Sequence, residues 1–241
     1  MSHRYYAIGA LVSFFCAFVS IVGAETVYYP LLPNIRYEYR VKATTGDAGQ
    51  TRDFNLSAAI TTMKSMEFRG KTVIPQKYEV AGEFASLSFV TEDKTGVYYF
   101  ASQRPKDREP ELTDPLQYVI RYPVGEGASW IQKSAEFDLI NNNQKLPVAL
   151  KAVIESTAEI VTVPSGSFAN CLKIKMIGTA QGEGLQSHLR FDIEKTLWYA
   201  PGVGMVKSIQ REKRSSIDPS ASDDATFTIV MLLQEETMND E

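Results

Sequence analysis

The sequence predicts an all-β protein built on an antiparallel curved sheet, either an open barrel-like sheet or a sandwich. Apolar and polar residues alternate along much of the chain, and a period of two is typical of strands with one buried face. Turns rich in proline and glycine separate the alternating segments. We find no amphipathic helix of three turns after the N-terminal signal segment. Many short connections therefore favour antiparallel pairing, with few or no long helices.

The clearest predicted strand runs from His188 to Tyr199. Its apolar face carries Leu189, Phe191, Ile193, Leu197 and Tyr199. Lys195 interrupts this face, and Trp198 lies at the end of the opposite, polar face. Ala200-Pro201-Gly202 ends the strand, because proline and glycine suit the two central positions of a type II turn.

The remaining strands follow from the same alternation and from turn residues between them. The predicted strands are Asn34–Thr45, Thr51–Met63, Thr72–Val80, Phe84–Val90, Val97–Ala101, Val148–Val163, Leu172–Met176 and Thr226–Leu233, with an extended run from Met205. Gln117–Tyr122 is a short strand or one helical turn. Pro75 indicates an edge strand or a bulge, because proline cannot donate to a sheet ladder.

Two polar stretches predict exposed loops. Gln103–Pro115 carries three prolines and seven charged residues, so we expect a loop or a hinge there. Arg211–Asp224 is rich in serine and charged residues, and we expect a long hairpin loop. The domain organisation that follows is one all-β domain over residues 25–236, with the hinge at 103–115. The acidic residues 237–241 are expected to form a frayed tail.

The N-terminus has the features of a secretory signal peptide. Arg4 precedes an uncharged run from Ala7 to Ala24, and Val22-Gly23-Ala24 fits a cleavage site. We therefore assign residues 1–24 to a signal peptide and expect an exported protein, periplasmic or extracellular. The alternative is a retained anchor, since the run is near the lower limit of about 17 residues for a membrane span.

Composition and rare residues exclude several function classes. The formal net charge is −4 and no basic patch occurs, so nucleic acid is not an expected partner. After cleavage Cys171 is the one cysteine and His188 the one histidine, too few for a structural zinc site. Cys171 is then either a buried thiol or an intermolecular partner. We expect neither a metal nor a cofactor.

Catalytic patterns are also missing from the sequence. There is no G-x-S-x-G elbow, and the predicted position of His188 on a polar strand face favours an exposed residue over a triad member. No phosphate-binding glycine motif occurs. Paired carboxylates meeting in a cleft stay open as an alternative, because any two acids can converge in a fold. We expect a protein that is not an enzyme.

Three segments of the C-terminal half carry a resemblance. These are Y-P-V-G-E-G-A-S-W from Tyr122, V-P-S-G-S-F-A-N-C-L-K-I-K from Val163, and W-Y-A-P-G-V-G-M-V-K from Trp198. In this order they resemble the TapB-like secreted bacterial proteins and related envelope families of unknown function. The resemblance implies an exported antiparallel β protein with a curved sheet similar to that of the carriers LolA and LolB. It implies no catalytic residues.

Two function classes remain open. In the first, the curved sheet binds a lipid or another apolar small molecule, with Trp130, Phe191, Trp198 and Tyr199 as the candidate ligand-binding residues. The alternative role of such aromatic side chains near turns is to fill the core. In the second class, the protein is an accessory that docks an envelope protein through an exposed loop or a sheet edge. A cavity of several hundred Å³ would favour the first class.

Overall fold

The computed structural model describes residues 26–47, 50–138, 145–183, 188–218 and 224–238. Over these ranges the strands are β1 (Ile35–Asp47), β2 (Gln50–Thr62), β3 (Met66–Phe68), β4 (Lys71–Val80), β5 (Glu83–Asp93), β6 (Gly96–Gln103), β7 (Glu111–Arg121), β8 (Ser129–Asp138), β9 (Lys145–Val163), β10 (Gly166–Glu183), β11 (His188–Ala200), β12 (Gly204–Ser216) and β13 (Ala225–Met238). The predicted signal peptide lies outside the described residues. In the part of the chain described, no helix has the length and apolar character needed to cross a bilayer.

The strands form one antiparallel sheet that bends into a nearly closed barrel. Its order is β7-β6-β5-β4-β2-β1-β13-β12-β11-β10-β9-β8, with the short β3 beside β4. β1 pairs along its length with both β2 and β13, so the two halves of the chain join at this strand. β7 and β8 are the two end strands, and the seam of the barrel lies between them. The all-β antiparallel prediction is confirmed, in its barrel-like form.

The alternating patterns bury the faces that the sequence predicts. In β11, Leu189, Phe191, Ile193, Leu197 and Tyr199 are all buried, as the period of two requires. The odd-numbered residues of β1 from Ile35 to Ala43 are buried in the same way. The inward side chains of β11, with those of β9 and β10, belong to the largest cluster of buried apolar residues. Those of β1 from Ile35 to Val41 belong to a second cluster, together with Val206 of β12.

The turn between β9 and β10 packs against the barrel wall. Ser165 at this turn donates its backbone N–H to the carbonyl oxygen of Leu233 in β13, at 3.2 Å. Val161 and Cys171, from the two strands beside the turn, belong to the same buried cluster as Trp198. The end of the β9–β10 hairpin therefore buries apolar side chains that do not belong to the inner face of the barrel. Cys171 has no exposed surface, which agrees with a buried thiol.

Pro75 lies within a strand that has neighbours on both sides. β4 pairs with β5 along one edge, where Pro75 faces Phe89. On the other edge of β4, the pairing with β2 extends only to Gln76, and the pairing with β3 starts at Val73. Pro75 therefore lies between the residues that pair with these two strands. Proline has no backbone N–H, but no ladder hydrogen bond is lost on that side. The prediction of an edge strand is wrong, because β4 has partners on both sides and changes partner at Pro75.

Three predicted irregular segments are shorter than expected. β7 begins at Glu111 and pairs with β6, so the loop predicted at 103–115 covers only residues 104–110. β12 continues to Ser216 between β11 and β13, so the first part of the predicted loop Arg211–Asp224 is strand. β13 continues to Met238, which faces Ile35, and residues 239–241 of the predicted tail lie outside the described part. Cross-strand partners hold these polar residues extended, which local composition does not reveal.

Candidate functional site

The inside of the barrel holds a cavity of about 530 Å³. All twelve strands of the barrel contribute at least one residue to its wall. Tyr37 and Tyr39 of β1 face it from one side, and Leu150 of β9 and Met176 of β10 face it from another. The cavity is therefore the lumen of the barrel, left open because inward side chains from opposite walls do not fill it.

The wall of the cavity combines aromatic, polar and aliphatic side chains. Its tyrosines are Tyr29, Tyr37, Tyr39, Tyr78, Tyr99, Tyr118 and Tyr199, its amides are Gln76, Gln117, Gln132 and Gln210, and its hydroxyls include Ser86, Ser88 and Ser208. Aliphatic side chains such as Ile60, Leu197 and Ile229 complete it. A tyrosine offers both an apolar ring and a hydroxyl group, so this wall suits a ligand with apolar and polar parts.

The segment before β1, residues 26–34, forms part of the wall at one end. The backbone N–H of Gly202, in the β11–β12 turn, donates to the carbonyl oxygen of Val27 at 2.8 Å. Tyr29 then donates its hydroxyl to Oε1 of Gln76 at 2.7 Å, and its ring packs edge-on against Tyr199 at 6.0 Å between centroids. These contacts hold the segment against the lumen.

Burial raises the pKa of several cavity tyrosines. It raises the pKa of Tyr37 to about 12, with the negative charge of Glu236 adding to the effect. Burial likewise raises the pKa of Tyr39 and of Tyr199, each with a smaller contribution from neighbouring tyrosines. Tyr39 uses its hydroxyl to donate to the carbonyl oxygen of Met205 at 2.9 Å. At neutral pH these phenols are therefore uncharged hydrogen-bonding groups.

Lys195 brings the one charged side chain among the described residues of the wall. Its ammonium group has neither a hydrogen bond nor an ion pair with any described residue. Desolvation lowers the pKa of Lys195, since the charged form is disfavoured away from bulk water. Its cross-strand neighbour is Gln210, whose amide donates to Oε1 of Glu212 at 2.6 Å. Glu212, the nearest acid along β12, is buried and accepts this bond.

The four predicted ligand-binding residues occupy different positions. Tyr199 lines the cavity. Trp130 is buried and donates its Nε1–H to Oε1 of Gln132, a wall residue, at 3.3 Å. Phe191 is buried in the largest apolar cluster and is absent from the wall. Trp198 points away from the lumen, as its place in the alternation predicts. The ligand-binding role of these residues stays a prediction.

Two lysine side chains flank the indole ring of Trp198 on its face of the sheet. The Nζ atoms of Lys173 and Lys207 lie 5.9 and 4.8 Å from its ring centre. Both ammonium groups lie near the ring face, and that of Lys173 also pairs with Glu155 at 3.1 Å. Only 9% of Trp198 is exposed, in the same buried cluster as Cys171. This arrangement accounts for the burial of Trp198 without a ligand.

Residues that we did not predict from sequence dominate the wall. The tyrosines of β1 stand at alternate positions, which indicates one common face but not a cavity beneath it. The sequence does contain an indication that Lys195 lines a cavity, because a lysine that interrupts an apolar strand face either disturbs a core or faces an internal space. The glutamines and serines carry no comparable signal.

Comparisons with known proteins give only distant structural neighbours. No protein-family model and no curated protein matches the sequence. A solved structure from Bacteroides fragilis, described as a candidate exported protein with a YmcC-like fold, shares 13% identity at a TM-score of 0.43. A candidate lipoprotein from Parabacteroides distasonis shares 15% identity at a TM-score of 0.39. Each alignment covers 88% of this chain and 99% of the other, and at this similarity neither establishes a family or a function.

Proposed function

We propose that this protein is an exported, non-catalytic binding protein of the bacterial cell envelope that holds a small amphipathic molecule inside its barrel. The observation that carries the proposal is the lumen of about 530 Å³. Small-molecule sites commonly measure roughly 300–1,000 Å³, and a barrel that only needed stability would fill this space with side chains.

The chemistry of the wall refines the ligand class. The sequence favours a lipid or another apolar molecule, and a purely apolar lining would suit an acyl chain. The tyrosine hydroxyls, glutamine amides and serine hydroxyls instead favour a ligand that has ring faces together with polar groups. Such a ligand satisfies the polar wall and still buries apolar surface.

Export and the absence of catalysis are parts of the same proposal. The signal-peptide features of residues 1–24 support export. The described residues of the wall include no aspartate, glutamate, histidine or cysteine, which are the usual acid–base and nucleophilic groups of hydrolases. The wall thus supports binding better than hydrolysis.

Native mass spectrometry of the processed protein, purified gently from a bacterial periplasm, tests this function. We expect a reproducible added mass that is lost on denaturation. The variant Ser88→Phe places a ring in the lumen and should lose this mass while the fold is kept, as circular dichroism would show. A bare mass, unchanged after incubation with mixed envelope extracts, would contradict the proposal.

A second candidate function rests on the free edge of β2. This strand pairs with β4 only from Ala58 to Thr62, and the edge from Gln50 to Leu56 has no second strand partner among the described residues. Phe54 and Leu56 are 47% and 41% exposed on this stretch. An envelope protein could add a strand here. Photo-crosslinking from position 55 in the periplasm would capture such a partner, and a clean monomer band would contradict it.

A further inference from the structure

The lumen contains a positive charge, the ammonium group of Lys195, that has no ion-pair partner among the described residues. Among the described residues of its wall, Lys195 is the one ionisable group apart from the tyrosines, and no aspartate or glutamate lines the cavity. The ammonium group of Lys195 makes no ion pair or hydrogen bond with a described residue. Its strand neighbours on the same face, Ile193 and Leu197, are buried apolar residues. An ammonium group in such a place is costly unless something in the lumen compensates it.

The surroundings of Lys195 suit an anion. Interactions between charges strengthen away from bulk water, so an anionic group in the lumen would interact with Lys195 more strongly than at the surface. Tyr199 is a protonated phenol on the same wall, and Gln210 is the cross-strand neighbour of Lys195. Phenol and amide groups donate hydrogen bonds to carboxylate, sulfonate or phosphate oxygens.

We propose that the ligand of the lumen is an amphipathic anion with one acidic group, and that the ammonium group of Lys195 binds this acidic group. The inference rests on the proposed binding function and adds the charge of the ligand and the residue that recognises it. The aromatic wall holds the ring-bearing part of the ligand, and Lys195 orients it. Desolvation, which lowers the pKa of Lys195, adds to the argument because an anion would restore the charged form.

Two fluorescent probes with the same ring system separate charge from shape. The probe 1-anilinonaphthalene-8-sulfonate carries one negative charge, and N-phenyl-1-naphthylamine lacks only the sulfonate. We expect the processed protein to bind the sulfonate at least tenfold more tightly than the neutral probe. Hydrogen bonds to charged groups are worth about 1.5–3 kcal/mol, which is tenfold or more in affinity. Lys195→Met should abolish this preference, and Lys195→Arg should keep most of it.

Matched variants place the effect in the lumen. Lys213→Met removes one positive charge from an exposed position of β12 and should leave both affinities unchanged. Ser88→Phe should weaken both probes alike, because it occupies the cavity. Ser86→Phe, in the same strand, replaces it if Ser88→Phe does not fold.

The outcomes distinguish this inference from the function on which it rests. If the filling variants leave both probes bound, the lumen is not the site, and both proposals are overturned. If the filling variants remove both probes but Lys195→Met preserves the preference for the sulfonate, only the role of Lys195 is overturned. An equal affinity of the wild-type protein for the two probes would overturn the anionic ligand alone.

Discussion

Gln132 joins the two end strands of the barrel through its side chain. Its Oε1 accepts a hydrogen bond from the backbone N–H of Tyr118 in β7, at 3.0 Å. The same oxygen accepts the indole N–H of Trp130, at 3.3 Å, and an amide oxygen has two lone pairs for this purpose. β7 and β8 are the ends of the sheet order and share no ladder among the described residues. At the seam a side-chain hydrogen bond therefore links the two strands, whereas backbone pairing links the other neighbouring strands of the sheet.

Removing this link should open the seam. We expect Gln132→Leu to lower the free energy of unfolding by about 1–3 kcal/mol, because it leaves a backbone N–H and an indole N–H without their acceptor. Hydrogen exchange at the amide of Tyr118 should become faster than at other β7 amides. Urea unfolding and exchange mass spectrometry check both effects.

The adjacent exposed residue Lys133 supplies the control for the seam. Lys133→Ala should change the free energy of unfolding by less than about 0.5 kcal/mol. Equal stability of Gln132→Leu and the wild-type protein would show that the barrel closes without this side chain.

The adjacent residues Trp198 and Tyr199 should differ in their effect on binding. Tyr199→Leu removes a ring from the wall that packs against Tyr29, and it should weaken the sulfonate probe roughly fivefold, since aromatic contacts contribute about 0.5–1.5 kcal/mol. Trp198→Leu should leave that affinity unchanged and lower stability by about 1–3 kcal/mol. Probe titration and urea unfolding of both variants measure this. Loss of probe binding in Trp198→Leu alone would contradict the assignment of faces.

Lys195 should reduce the stability of the ligand-free protein. Its pKa in the folded state is lowered by desolvation, below the value of about 10.4 for an unfolded chain. Between these two values the unfolded chain binds more protons, so the stability that depends on Lys195 rises with pH across this window. At lower pH the desolvated ammonium group carries its full cost.

We therefore expect Lys195→Met to be more stable than the wild-type protein at neutral pH, by about 0.5–2 kcal/mol. The difference should shrink as the pH approaches the usual range of lysine. Urea unfolding of ligand-free samples at several pH values measures it, with Lys213→Met as the control. A variant less stable than the wild-type protein would show that Lys195 has a compensating partner.

Gly96 at the start of β6 should not tolerate a side chain. Its φ is +140°, and an added Cβ would overlap the backbone carbonyl oxygen of Ile120 in β7. Gly96→Ala should therefore lower the free energy of unfolding by about 1–3 kcal/mol. Gly125 has no atom within 4 Å of such a Cβ and is the control. Similar thermal midpoints for Gly96→Ala and Gly125→Ala would contradict the close approach of these strands.

Cys171 should react with thiol reagents only when the protein opens. The side chain has no exposed surface, and burial raises the pKa of its thiol. We expect maleimide labelling of the processed protein to be at least about a thousandfold slower than in urea, because reaction requires opening of a buried strand. Ala169→Cys in a Cys171→Ser background presents an exposed thiol two residues away and should label quickly. Fast labelling of native Cys171 would contradict the packing of the β9–β10 turn.

Local patterns in the sequence determine most strands and their faces. The alternation in β11 places Tyr199 inward and Trp198 outward, and the structure agrees, because a strand has only two faces. The same pattern misses Arg211–Ser216, where polar residues remain extended because β11 and β13 pair with them. Composition predicts a loop there, since the partners that stabilise the strand lie outside the local sequence.

The tertiary structure alone decided that the sheet closes and that its interior stays open. Closure depends on the pairing of β1 with β13, whose residues lie almost a whole chain apart, and on Gln132 at the seam. A strand face that packs against other side chains and one that lines a lumen have the same apolar pattern in the sequence. Alternation shows which face is turned away from bulk water, but not whether the space behind that face is filled. Lys195 marks that difference, since an unpaired ammonium group is tolerated beside a cavity and not within a filled core.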